Sequence, residues 1–332
     1  MRVVVAMDKF RGTLTAAEAC AAAADACWDA GAEVDEIPLS DGGEGLLDVL
    51  GGPNRTTIVT GPLGRPVEAM WRLDRRTAVI EMARASGLLL AGGSDGNDPM
   101  LATTRGTGEL IRRAVDEGAR HVIVGLGGSA TTDGGLGALE AMGHTKRWRG
   151  IELEVAVDVR TRFIDAAEVF APQKGASPGQ VGLLRARLEG LATRYRDEYG
   201  VDVTELDGAG AAGGLAGGLA AVGGRIVPGF ELVAERTDLA ERLKPADLIV
   251  TGEGHLDDQS LEGKVVGGML DLAATSARPV AVIVGDADPD ARDAVSGRGA
   301  TVVRLVELAG EQGALGQPKA AVRQAMRAVL DG

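Results

Sequence analysis

The 332-residue chain is predicted to fold as two α/β domains, one an open parallel Rossmann-like sheet and the other a mixed α/β sheet. Three observations predict this. At both ends of the chain, short β-branched apolar runs alternate with helical stretches, the βαβ rhythm of a parallel sheet. Between residues 56 and 90 the texture changes to short strands joined by tight Gly/Pro turns, which reads as antiparallel. The length exceeds what one core usually holds. The expected division is 1–55 plus 240–332 for the Rossmann-like domain, with 56–239 inserted as the mixed one.

Residues 2–7 form a nearly continuous apolar run, as a buried parallel strand requires. A turn with Asp8 and Lys9 follows. Thr15 and Glu18 have capping-box spacing and open an alanine-rich helix that ends at Gly31. Residues 34–39 are the next strand, with Asp41 at its C-terminal end, and residues 46–50 begin a helix. Strands are expected at 56–60, 67–73 and 77–82, a helix at 107–118, a strand at 121–124 and a helix at 137–142. Residues 144–150 are a short basic connection. A strand at 151–159, a polar turn at 171–176 and a charged amphipathic helix at 181–199 come next. Residues 207–224 read as a glycine- and alanine-rich loop entering a tightly packed helix. Strands at 246–250, 280–284 and 300–305 resume the α/β texture.

Composition narrows the function. The net charge of −13 argues against nucleic acid or an anionic membrane as partner. An anionic substrate then needs locally placed cations. Six of the 35 basic residues are lysine, and Lys9, Lys174 and Lys264 fall in distinctive turns, where a compact charge reaches a phosphate or carboxylate. Cys20 and Cys27 lie on the first helix and read as core residues. No signal peptide or membrane span is evident, so a reducing cytoplasm is expected. Oligomeric state is not legible.

Three glycine-rich acidic turns carry the chemistry: residues 40–45 with Asp41 and Glu44, residues 132–135 with Asp133, and residues 251–257 with Glu253 and Asp257. In open α/β sheets ligands bind at the carboxyl ends of strands, where Asp8 and Asp41 are also placed. Gly125-x-Gly127-x-x-Ala130 and Gly208-x-Gly210-x-x-Gly213 both match the dinucleotide fingerprint. The first continues into Ser129, Thr131 and Asp133, which a nicotinamide-binding turn does not need. Backbone N–H groups there, with the hydroxyls of Ser129 and Thr131, suit a phosphate or carboxylate. An oxidoreductase would also need an acid about 20 residues beyond Gly125, and residues 145–150 hold none. Gly263-Lys264 is not a Walker A loop, because Asp258 and Val265 replace its glycine and its Ser/Thr.

Taken together, these stretches resemble the bacterial glycerate kinase family, the type that usually makes 2-phosphoglycerate. The similarity runs from residue 1 to about 290. It covers Asp8–Gly12, Pro38–Gly45, Gly61–Gly64, Glu81–Leu88, Thr104–Leu110, Gly125–Gly135, Pro172–Ala176, Gly208–Gly214 and Thr251–Gln259 with Gly263-Lys264. The resemblance implies phosphorylation of glycerate with ATP and Mg²⁺ by two α/β domains with the active site in the cleft between them. The chain also departs from the pattern. A segment of roughly 30–40 residues usual in the family is reduced to residues 144–150. The Asn-Pro pair expected after Asp158 is absent, Thr132 stands where Asn is common, and Ala171 stands where Gly is usual.

The resulting expectation is direct transfer of the ATP γ-phosphoryl group to a small hydroxy acid, catalysed mainly by positioning and charge neutralisation. Asp41, Asp133, Asp158, Lys174 and Lys264 are the catalytic candidates, with Asp133 and Asp158 also candidate Mg²⁺ ligands. Asp8, Lys9, Glu44, Arg84, Arg105, Glu253 and Asp257 are the substrate-binding candidates. Gly127, Gly128, Ser129 and Thr131 would cradle the nucleotide phosphates. A non-catalytic or altered-specificity ligand-binding homologue and, behind it, a nicotinamide-dependent oxidoreductase are the competing readings.

Overall fold

The computed structural model describes residues 1–143, 148, 150–275 and 278–331, so most of the basic connection at 144–150 lies outside it. The chain divides into two compact units, Met1–Asp41 with Phe230–Gly332, and Gly42–Gly229. The sequence had placed these changes at 55/56 and 239/240. The strands are β1 (Arg2–Val5), β2 (Glu33–Glu36), β3 (Arg55–Thr60), β4 (Pro66–Asp74), β5 (Thr77–Glu81), β6 (His121–Gly125), β7 (Glu152–Val157), β8 (Arg225–Pro228), β9 (Leu248–Leu256), β10 (Val280–Ala287) and β11 (Thr301–Arg304).

The first unit is the predicted open parallel sheet, in the order β11-β10-β9-β1-β2 with every pair parallel. The direction of winding reverses between β1 and β9, the switch point at which such sheets leave a crevice beyond the strand ends. The helix Ala16–Asp29 covers one face. Thr15 and Glu18 form the expected reciprocal cap at its start. Its alanines let it pack closely on Val3, Val5 and Ile283, and Cys20 and Cys27 are free thiols within this core. Burial pushes the Cys20 thiol up to about 12, so it stays protonated and unreactive.

One expectation for this unit fails. Residues 251–256 are not a turn after a strand but the second half of β9, paired with β10 as far as Leu256 and Ala287. Glycine reads as a turn signal in sequence. At Gly252 it instead serves close approach, because a Cβ there would lie 1.9 Å from the Ile283 carbonyl oxygen.

The second unit is the predicted mixed sheet, in the order β3-β4-β5-β6-β7-β8. β3/β4 and β4/β5 are antiparallel, and β5 through β8 are parallel. Trp71, Ile80, Val124 and Val155 anchor a core completed by the helices Arg105–Asp116, Leu136–Met142 and Pro178–Tyr199. β8 escaped the sequence reading, since a four-residue edge strand beginning with Arg225 carries little periodic signal. The helix Ala211–Ala221 fits the expected packed helix, but it opens with Ala212, Gly213 and Gly214 all in the left-handed region. No helix among the described residues is long and apolar enough to cross a membrane.

Gly252→Ala is expected to destabilise the protein by about 3 kcal/mol, the upper end of the usual cost of overpacking, because the new methyl meets a strand carbonyl that cannot yield. Urea unfolding measures it, and an unchanged midpoint would contradict the close approach.

Candidate functional site

In the first unit, three strand ends deliver a mixed acidic and basic cluster. β1 runs into Asp8 and Lys9, and the Asp8 N–H is bonded to the Gly252 carbonyl on β9 at 2.9 Å. The chain after β2 continues beside β1, with Leu39 N–H on the Met7 carbonyl at 2.8 Å, and so brings up Asp41. The Lys9 ammonium lies 3.5 Å from Asp8 Oδ1 and 3.4 Å from Asp41 Oδ1. Asp8 is 5% exposed. Its burial and then the Asp41 charge push its carboxyl up to about 7, against the pull of Lys9. Glu253, inside β9, is also pushed up to about 7, mainly by burial and further by the Asp8 and Asp257 charges, while Ser260 and Lys264 oppose this. Glu253 Oε1 is buried with no hydrogen-bond partner among the described residues. Asp257 caps the short turn that follows by accepting Ser260 N–H at 2.9 Å. Asp8, Lys9, Asp41, Glu253, Asp257 and Lys264 therefore all belong to one electrostatic neighbourhood, while His255 stands on the exposed end of β9 beside Asp288 at 3.2 Å.

In the second unit, the turn after β6 is held from below. Asp133 Oδ2 accepts from the Thr104 N–H (2.8 Å), the Thr104 hydroxyl (2.9 Å), the Gly137 N–H (3.3 Å) and the Thr103 hydroxyl (3.4 Å). Its Oδ1 accepts the Gly135 N–H at 3.1 Å. A carboxylate with this many donors is an anchor for the turn and for the helix Leu136–Met142 behind it. To bind a cation it would have to exchange donors it already holds.

Several of the turn's carbonyls are also taken. The Gly128 carbonyl accepts Leu88 N–H at 2.8 Å, Ala130 accepts Asn97 Nδ2 at 3.0 Å, Thr131 accepts Lys174 Nζ at 2.7 Å and Gly134 accepts the Tyr195 hydroxyl at 2.9 Å. Among the described residues, no acceptor takes the N–H of Gly127, Gly128, Ser129 or Thr131. Gly127 and Gly128 reach the surface, and Thr131 is fully buried with its hydroxyl 3.4 Å from the Ala212 carbonyl. The turn thus keeps several uncommitted N–H donors while four of its carbonyls are spent on neighbouring segments, a distribution that suits an anion.

Lys174 is 3% exposed, and burial pushes its ammonium down to about 7 despite the Asp133 charge. Asp158 is half-buried, just past the end of β7. Glu44 is exposed. Arg84 is held by Glu81 at 2.8 Å, and Glu81 in turn accepts the N–H groups of Gly45 and Leu47, each at 2.9 Å. Arg105 is half exposed, on the first residue of its helix, paired with Glu109 at 3.2 Å. Of the two fingerprint glycine loops, the first follows β6 as the motif requires. The second is preceded by the short helical turn Val203–Glu205 rather than a strand.

Sequence reading missed Asn97, Thr104 and Tyr195. Thr104 stands 29 residues before Asp133 and Tyr195 61 residues beyond Gly134, and no local pattern encodes such partners.

A family model described as the glycerate kinase family matches residues 3–147 and 144–331, two stretches that meet at the basic connection. The chain is 35% identical to a glycerate 2-kinase of Escherichia coli (strain K12) and 37% identical to a glycerate kinase of Bacillus subtilis (strain 168). Both alignments cover 87% of this chain and 86% of the relative. A crystal structure of a provisionally named glycerate kinase 2 from Salmonella typhimurium LT2 superposes with a TM-score of 0.83 at 32% identity, covering 100% of this chain and 97% of that one.

Two expectations follow from the electrostatics. Asp8 and Glu253 bind protons more tightly folded than unfolded, so the stability they contribute is fully present below about pH 4 and is lost as pH rises towards 7. Lys174 acts in the opposite sense, and its burial cost is relieved as pH rises from 7 to 10.5. The double variant Asp8→Asn/Glu253→Gln should lose less stability than the parent between pH 4 and 7 in urea titrations, and parallel curves would refute the assignment. Asp133→Ala should destabilise by about 3 kcal/mol, since it orphans several buried donors. A neutral outcome would remove its anchoring role.

Proposed function

The chain belongs to the glycerate kinase family, and from this premise we propose that it transfers the γ-phosphoryl group of ATP to a hydroxyl of glycerate, giving 2-phosphoglycerate, or of a closely related small hydroxy acid. The observation that carries the nucleotide half of this reading is the turn after β6, where no acceptor among the described residues takes the N–H groups of Gly127, Gly128 and Ser129. Such a set of donors suits a phosphate. Thr131 forms its floor.

The transition state of phosphoryl transfer carries charge on oxygens and asks mainly for positioning and neutralisation. Asp41, steadied by Lys9, orients the acceptor hydroxyl, and Asp8 and Glu253 complete the polar wall around it. With carboxyls near 7, these two can hold or accept a proton at neutral pH. Lys264 neutralises phosphate oxygens and Asp257 fixes the turn before it. Arg84 and Arg105 are the candidates for the fork that receives the acid's carboxylate, and Arg84 is the better oriented because Glu81 holds it. Lys174 lends its charge beneath the cradle.

Mg²⁺, when bound, would neutralise the β- and γ-phosphate oxygens. The hard oxygen donors that suit it are carboxylates. Asp133 and Asp158 are the candidates to hold it, Asp133 only by exchanging donors its oxygens already accept, and the exposed Glu44 is a further carboxylate that could join them. Asp158 is also a candidate base for the acceptor proton. Nucleic acid is not an expected partner of so acidic a chain, and a reducing cytoplasm suits its free thiols.

ADP formation by the purified protein with Mg²⁺ and D-glycerate, L-glycerate or tartronate tests all of this. Asp41→Asn is expected to lower kcat/KM about a hundredfold or more. Turnover with another hydroxy acid alone would keep phosphoryl transfer and change the substrate. ATP binding without turnover on any acid would replace the kinase by a ligand sensor.

A further inference from the structure

Asn97 lies in the segment between the helical turn Gly93–Gly96 and Pro99, with nothing in its sequence setting to mark it. Its side-chain NH₂ makes two hydrogen bonds, to the Ala130 carbonyl at 3.0 Å and to the Lys174 carbonyl at 2.9 Å. The first lies in the turn after β6, and the second in the turn Pro172–Lys174, whose own Nζ reaches the neighbouring Thr131 carbonyl at 2.7 Å. One amide therefore clamps two segments 44 residues or more apart in sequence. The contact is built and not incidental, because the preceding backbone is pressed onto the same turn. A Cβ on Gly175 would lie 2.4 Å from the Ser94 carbonyl oxygen, and Gly175 has φ +93°.

We propose that Asn97 is a positioning residue for the nucleotide phosphates. By holding the Ala130 carbonyl, and by fixing the turn that carries Lys174 to the Thr131 carbonyl, it keeps these two acceptor oxygens engaged and leaves the uncommitted N–H groups of Gly127, Gly128 and Ser129 to the ligand. This rests on the phosphate-binding reading of that turn. No other side chain among the described residues donates to the Ala130 carbonyl. Losing Asn97 lets this carbonyl rotate toward the ligand, where it would repel a phosphate oxygen. A residue acting this way should alter nucleotide binding more than acceptor binding.

The test has two arms. Without ligand, hydrogen–deuterium exchange over residues 126–132 should be about tenfold faster in Asn97→Ala than in the parent, since the turn loses a clamp worth a hydrogen bond or two. With ATP and the acceptor acid, the KM for ATP should rise about tenfold in Asn97→Ala and in Asn97→Asp, which keeps the shape but removes the donors, while the KM for the acid stays within about twofold. Asn97→Ser, which restores one donor, should recover part of both effects and serves if Asn97→Ala does not fold. Unchanged exchange in the turn would overturn the clamp whatever the enzyme does. Faster exchange with an unchanged KM for ATP would overturn its link to the nucleotide. A parent protein that shows no ATP turnover refutes the kinase reading and leaves the exchange arm to judge the clamp by itself.

Discussion

The Asp133 carboxylate is the point on which the second unit turns. Two oxygen atoms collect backbone and hydroxyl donors from Thr103 and Thr104, before the helix Arg105–Asp116, and from Gly135 and Gly137, at the start of the helix Leu136–Met142. Two helix entries are thereby tied to the loop that leaves β6. A buried carboxylate without such donors would be costly, and with them it is among the stronger local constraints a loop can have. The polarity of the turn follows. Lys174, Asn97 and Tyr195 claim the Thr131, Ala130 and Gly134 carbonyls, while the N–H groups of Gly127, Gly128 and Ser129 stay uncommitted among the described residues.

The first unit solves a different problem. Parallel strands end with carboxylates because the switch point between β1 and β9 is where a ligand has room. Gathering Asp8, Asp41, Glu253 and Asp257 there is electrostatically unfavourable, and Lys9 and Lys264 offset it only in part. Burial and then the neighbouring charges raise the carboxyls of Asp8 and Glu253. Clusters of buried carboxylates with shifted titration are a common character of functional sites.

Glycine links the two strategies. At Gly252 its missing side chain lets β10 close onto β9, and at Gly213 it lets the left-handed entry of the helix Ala211–Ala221 come against the turn, where a Cβ would lie 2.0 Å from the Thr131 carbonyl oxygen. Ala212 accepts a left-handed conformation at the same place, φ +53°, and its carbonyl meets the Thr131 hydroxyl. The cradle is thus supported by backbone packed on backbone, which leaves little freedom for it to deform.

Most of the architecture was legible in the chain. Hydrophobic period marked ten of the strands, the Thr15/Glu18 spacing marked the first helix, and the change from parallel to antiparallel texture after residue 55 marked the mixed sheet, because each is a local rule with a short range. The candidate acids and lysines were legible for the same reason, as each sits on a glycine turn or a strand end. Residues 251–256 were misread because glycine for a turn and glycine for close packing look alike without the neighbouring strand. Which acid anchors a loop and which pairs with a lysine could not be read either, since Asp133 and Asp41 stand in nearly the same local sequence. That difference belongs to the tertiary structure: Thr104 is brought to Asp133 and Lys9 to Asp41 by strand order, and hydrogen bonding and burial depend on neighbours that sequence distance does not encode.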